Sequence, residues 1–159
     1  VRLPPFQSLL DAHGADVHRF LIASVGPVDA DDCYQETWLA ALRAYPRLRD
    51  ASNLRGWLFT IAHRKVIDLV RVRARAPTPV QQPPEPTGAA AAAVGDGDAD
   101  GELWAQVAAL PDKQRTALAL RFVADCAYAE IAAVMAISEA AARRNVHEGL
   151  TRLRKDRSA

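Results

Sequence analysis

The chain has 159 residues, half of them hydrophobic, which allows one ordinary domain or two small ones but not the deep core of a large enzyme. Its net charge of +1 hides opposed blocks: residues 1–42 carry two Lys/Arg against six acids, 43–75 nine against two, 76–112 none against six, and 113–159 nine against five. Two basic blocks around an acidic spacer suit a bivalent binder of a polyanion, with salt-sensitive affinity, and no run of about 18 apolar residues is present to span a bilayer.

The N-terminus lacks the charged-then-apolar layout of a secretory signal, so a cytoplasmic location without membrane insertion is expected. Apolar residues recur at helical spacing and no segment alternates like a strand, which predicts an all-α fold. The first helix turns Phe6, Leu9, Leu10, Val17, Phe20 and Leu21 inward and should end near "VGPVD", where Gly26 and Pro27 punctuate. The second has Tyr34, Trp38, Ala41, Leu42 and Tyr45 as its apolar positions. It should stop at Tyr45, because Pro46 disfavours helical backbone in the residue before it. "RDASN" offers capping side chains for a third helix, "LRGWLFTIAHRKVIDLVRVRAR", with Leu54, Leu58, Ile61, Ala62, Val66 and Leu69 as its stripe. Cys33 and Cys126 each fall in an amphipathic segment and read as buried thiols. His13 and His18 point to different helix faces, so neither a metal site nor a cofactor is expected.

From Ala76 to Gly101 the composition turns Pro-rich, then Ala-rich, then Gly/Asp-rich, with almost no bulky apolar side chain. Such a segment buries too little surface to offset its ordering entropy, which predicts a flexible linker. Its typical span is about 25 to 30 Å, enough for two tethered modules to reach separate sites. The organisation is therefore two small helical domains, residues 1–75 and 102–159, joined by a linker over 76–101. In the second domain "ELWAQVAAL" is closed by Pro111, and "DKQRTALALRFVA" follows with Ala117, Leu118 and Phe122 on its apolar side.

Next comes "YAEIAAVM", a break at "AIS", and a longer basic helix. A short turn between a short helix and a basic one is the layout of a helix-turn-helix, whose second helix enters the DNA major groove. Ser138 can cap that second helix, and Ala142, Val146, Gly149, Leu150 and Leu153 form its inward seam. Glu139, Ala140, Arg143, Arg144 and His147 are left on the outward, leading part, where base edges and phosphates would lie.

Here a resemblance can be stated. "LPDKQRTALALRF…YAEIAAVMAIS…RRNVHEGLTRLRK" resembles the promoter-reading region 4 of the extracytoplasmic-function (ECF) sigma factors, small specificity subunits of bacterial RNA polymerase. "DADDCYQETWLAAL" is similar to their region 2.2, and "LRGWLFTIAHRKVIDLVRVRAR" to their regions 2.3 and 2.4. The resemblance implies that Asp31, Asp32, Gln35 and Glu36 dock on core RNA polymerase, an acidic face meeting a basic one. It implies that Ser52, Asn53 and Arg55 in a loop, with His63, Arg64, Lys65, Asp68 and Arg71 on the helix, hold the melted −10 strand. It implies that Glu139, Arg143, Arg144, Asn145 and His147 read the −35 duplex. An anti-sigma factor is a further implied partner, and no enzymatic activity is expected, since no phosphate-cradling loop or nucleophile with a partner base is present.

One departure matters. Family members usually place Gly in the turn and Gly-Thr-Val near the start of the recognition helix, where this chain has Ala136 and three alanines at 140–142. Alanine favours helix but offers no hydrogen-bonding group, which weakens base readout there. The alternative reading is a stand-alone helix-turn-helix regulator, which would bind duplex without polymerase and would usually dimerise.

Overall fold

The computed structural model describes the backbone of residues 1–75 and 98–159 and the side chains of 1–75 and 101–159. Among these residues all regular structure is helical. The first helix, α1 (Phe6–Val25), ends at Gly26, whose φ of +86° only glycine adopts freely, and whose N–H still donates to the Ile22 carbonyl at 2.9 Å. Pro27 then opens α2 (Pro27–Ala44), a position where the missing N–H would have had no partner in any case. As expected from Pro46, α2 gives way at Tyr45 to one 3-10 turn, Tyr45–Arg47. The third helix, α3 (Leu54–Arg75), is capped from "RDASN" by Asn53, whose Oδ1 accepts from the Gly56 amide at 2.9 Å. A Cβ at Gly56 would lie 2.5 Å from the Asn53 amide nitrogen, so the cap itself demands glycine.

These three helices enclose one core. Phe20 and Phe59, both fully buried, meet edge to face at 5.5 Å, with Val17, Leu21 and Leu58 around them. Trp38 is buried as well, against Phe6 at 5.7 Å. Leu42 departs from its expected inward position: it is 51% exposed, because the inward stripe of α2 runs through Cys33, Thr37, Trp38 and Ala41.

The second unit begins with α4 (Asp98–Ala108), which starts inside the stretch assigned to the linker; the rest of that stretch, 76–97, lies outside the described residues. It continues with α5 (Asp112–Leu118), which runs directly into a π-helical turn, Ala119–Val123. That wider turn advances the register, so Leu120 faces inward and Phe122, expected on the apolar side, is 62% exposed. The helix-turn-helix follows as α6 (Tyr128–Met135) and α7 (Glu139–Ser158). Its turn puts Ala136 in the left-handed region at φ +54°, a conformation that costs a residue with a Cβ about 1–2 kcal/mol. Ser138 Oγ accepts from the Ala141 amide at 3.0 Å, which caps α7 as anticipated. Gly149 lets α7 approach α5: a Cβ there would stand 2.8 Å from Leu118 Cδ1.

The two units pack on each other, α3 against α6, and α1 against α4, α5 and the π turn. Arg115, only 11% exposed, joins them from α5. It donates to the Ser24 carbonyl at the end of α1 (2.9 Å), to the carbonyls of Ala108 (3.0 Å) and Leu110 (3.1 Å), and to Asp112.

Candidate nucleic-acid and partner interfaces

The acidic face of α2 is free. Asp31, Asp32, Gln35 and Glu36 are all exposed, and only Asp31 has a side-chain partner among the described residues, His18 at 3.0 Å. Two residues missed by sequence reasoning extend this face: Leu39 and Leu42, 52% and 51% exposed, follow Gln35 and Glu36 at helical spacing. The signal was present, since Leu39 stands three residues after Glu36 and outside the buried stripe. Acid followed by aliphatic surface along one helix is a suitable footprint for a partner whose groove is basic at one end and apolar at the other.

The eight residues of the expected −10 set divide into two groups. Arg64, Asp68 and Arg71 share one exposed stripe of α3, with half-buried Lys65 beside it. Ser52 and Asn53 are exposed in the loop before α3, where the Ser52 amide donates to Asp50 at 2.9 Å. The Ser52 hydroxyl first, and its amide second, hold the Asp50 carboxyl below its usual range. Arg55 and His63 instead face the second unit. The Arg55 guanidinium donates to the Ala124 carbonyl, lies 3.6 Å from Cys126 Sγ and 3.9 Å from Glu130, and stands over the Phe59 ring at 4.9 Å. His63 is buried; desolvation pushes its pKa down, partly offset by the carbonyl of Val134 on α6, with Arg64 adding to the fall. In this arrangement two members of the set are covered by the other half of the protein.

On α7, Glu139, Arg143, Arg144 and His147 are exposed and Asn145 is half-buried. Asn145 is drawn out of the group: its amide donates back to the Ala141 carbonyl at 3.0 Å. Arg143 pairs with Glu139 at 2.7 Å and stands over the Tyr128 ring. The seam expected to face inward does so, with Ala142, Val146 and Gly149 buried and Leu150 and Leu153 half-buried.

One further cation is structural. Arg73 donates to the Val25 carbonyl at 3.2 Å and pairs with Asp29, joining the end of α3 to the α1–α2 corner. Both cysteines are buried and unpaired, and burial raises both thiol pKa values, which keeps them protonated.

Against known proteins, residues 9–76 match the Sigma-70 region 2 family and residues 100–153 match Sigma-70, region 4. The chain is 33% identical over 131 residues to the ECF RNA polymerase sigma factor SigC of Mycobacterium tuberculosis, covering 80% of this chain and 70% of that protein. It is 26% identical over 159 residues to the ECF RNA polymerase sigma factor SigX of Bacillus subtilis, covering 94% and 82%. Its fold is similar to the sigma factor RpoE of Bartonella quintana, solved with the anti-sigma factor NepR, at a TM-score of 0.72 and 23% identity over 94% of this chain and 93% of that one. It is also similar to CnrH, solved with the cytosolic domain of CnrY, at 0.71 and 22% identity over 94% and 85%. Both halves match in sigma-factor order, which a stand-alone helix-turn-helix regulator would not require.

Proposed function

We propose a division of labour that starts from one fact: the chain belongs to the sigma-70 family, as an ECF sigma factor of RNA polymerase. It directs promoter-specific initiation with core polymerase and promoter DNA as partners, and the division concerns which residues meet which partner. Asp32, Gln35 and Glu36, extended by Leu39 and Leu42, form the polymerase-docking face on α2. Arg64, Asp68 and Arg71, with Ser52 and Asn53, meet the melted −10 strand: cations take phosphates and the loop groups take base edges. Arg143, Arg144 and His147 on α7 meet the −35 duplex in the major groove. Residues 1–75 serve polymerase and the −10 element, and the helical unit ending at residue 159 serves the −35 element.

The observation that carries this reading is the presence, in one chain, of an exposed acidic-to-aliphatic helix face and an exposed cationic edge on a helix-turn-helix. Arg55 and His63 join the −10 set only when the two units part, because both are engaged by the C-terminal unit here. An anti-sigma factor is a third partner on this reading; it is supported by the two structural relatives, one solved with the anti-sigma factor NepR and the other with the cytosolic domain of CnrY. The experiment is to add the protein to bacterial core RNA polymerase on fragmented genomic DNA and map transcript 5′ ends. Discrete new starts sharing two upstream elements are expected. Duplex binding without polymerase, and no new starts, would favour the stand-alone regulator.

A further inference from the structure

On the reading that α7 meets the −35 duplex, we propose that Tyr128 is the positioning residue for Arg143, and that it acts through the face of its ring. Tyr128 opens α6, on the other helix of the pair, and is half-buried. The Arg143 guanidinium carbon stands 5.1 Å from its ring centroid, inside the range where a cation is drawn to the ring's negative face. A second guanidinium, that of Arg121, stands over the same ring at 4.8 Å and donates to the Cys126 carbonyl at 3.1 Å, which ties the ring to the π-helical segment. The contacts that Tyr128 makes with Arg143 and Arg121 run through its ring.

Arg143 is therefore held twice, by Glu139 on its own helix at 2.7 Å and by an aromatic face on another. The cluster contains two cations and one carboxylate, so it fixes Arg143 without cancelling its charge. Arg144, one residue on, is exposed and has neither a carboxylate nor a ring partner among the described residues. The difference matters in this chain because residues 140–142 are alanines. After Glu139, Arg143 is the first side chain of α7 that can donate to a base edge or phosphate. A planar guanidinium already oriented loses less rotamer freedom on contact than a free one.

The test uses the full chain with core polymerase on the promoter fragments recovered by start-site mapping, each with its −35 element intact or scrambled. Tyr128→Phe keeps the ring and should preserve most −35-dependent initiation, within about twofold. Tyr128→Leu keeps apolar bulk without a ring and should lower it about three- to fivefold, with little change on scrambled fragments or in core binding. In an Arg143→Ala background Tyr128→Leu should add little, whereas in Arg144→Ala it should keep its full effect, the non-additivity of one coupled pair. Should Tyr128→Leu melt well below the parent, Tyr128→Met, flexible and ringless, carries the test, with the same loss that also vanishes without Arg143. A Leu variant equal to the parent, a Phe variant as impaired as Leu, or a loss undiminished without Arg143 would each overturn the proposal. An Arg143→Ala variant that keeps full −35 dependence would instead remove the premise about α7.

Discussion

The two candidate DNA surfaces differ in one respect: the −35 set is open at Arg143, Arg144 and His147, whereas the −10 set, exposed at Ser52, Asn53, Arg64, Asp68 and Arg71, is covered at Arg55 and His63. On α7 the outward residues Arg143, Arg144 and His147 are exposed, and Arg143 is already oriented by Glu139 and Tyr128. At the start of α3, Arg55 is occupied by the Ala124 carbonyl, Cys126 and Glu130, and further along the helix His63 is buried against α6. Duplex DNA exists before polymerase arrives, so a duplex-reading helix gains from being assembled in advance. An unpaired strand exists only after melting, so residues proposed to hold it lose nothing by packing against protein until then. The contrast says where opening must act: at the α3–α6 contact.

The largest effect expected would break this contrast outright. Each arginine contact to a base edge contributes about 1–3 kcal/mol, so Arg143→Ala with Arg144→Ala should lower promoter-specific initiation about 100-fold while leaving core binding intact. Asp32→Ala with Glu36→Ala should instead lower core affinity, and initiation only as a consequence, in a chain that remains folded. Initiation assays beside a core-binding titration decide it. If the arginine pair also removes core binding, or the acidic pair leaves core affinity unchanged, in a folded protein, the two surfaces are not divided in this way.

Next in size is a packing effect at the joint between the units. Arg115→Met would leave the carbonyls of Ser24, Ala108 and Leu110 and the Asp112 carboxylate without their donor. A loss of about 2–4 kcal/mol is expected, read as a fall in the thermal midpoint. An unchanged midpoint would mean that Arg115 is not a joint.

The contrast also separates what sequence patterning could reach from what it could not. Helix existence, the Gly26–Pro27 corner, the Asn53 cap and the Ser138 cap follow from local chemistry, and local chemistry is written in neighbouring residues. The outward edge of α7 was legible for the same reason, because periodicity fixes its inward seam. Phe122 was misplaced because a π turn changes the period within a helix, and nothing in "ALRFV" announces one. Arg55, His63, Arg73 and Arg115 carried the right charge for DNA, yet each has a partner 44 to 91 residues away. Long-range pairing of this kind has no local signature.

A smaller effect sharpens the comparison. Glu130→Gln keeps an acceptor for the Ala127 amide but removes the charge that Arg55 faces at 3.9 Å. Both side chains are partly exposed, so the pair contributes well under 1 kcal/mol, about the size of other such pairs. The expected result is a modest increase in radius of gyration by small-angle scattering, larger in dilute buffer than in high salt. No change at low salt would leave Arg55 held by the Ala124 carbonyl and the Phe59 ring alone.

The smallest effect is on pH. Burial lowers the pKa of His63 below the usual histidine value of 6.5, and burial followed by the Arg55 charge lowers that of His13 on α1. A folded-state pKa below the unfolded one means that the open or unfolded chain binds more protons, so stability rises with pH across that window. The contribution is therefore complete above about pH 6.5 and is lost as pH falls through that value toward the folded pKa. Melting curves between about pH 7.5 and 5.5 stay above the ordinary carboxylate range and should show this slope. His63→Gln should flatten part of it and His13→Gln the remainder. Because His63 lies between α3 and α6, the same acidification should also increase the radius of gyration before the chain unfolds. A slope that survives the loss of both histidines would place the proton-sensitive contact elsewhere than at the face covering the −10 residues.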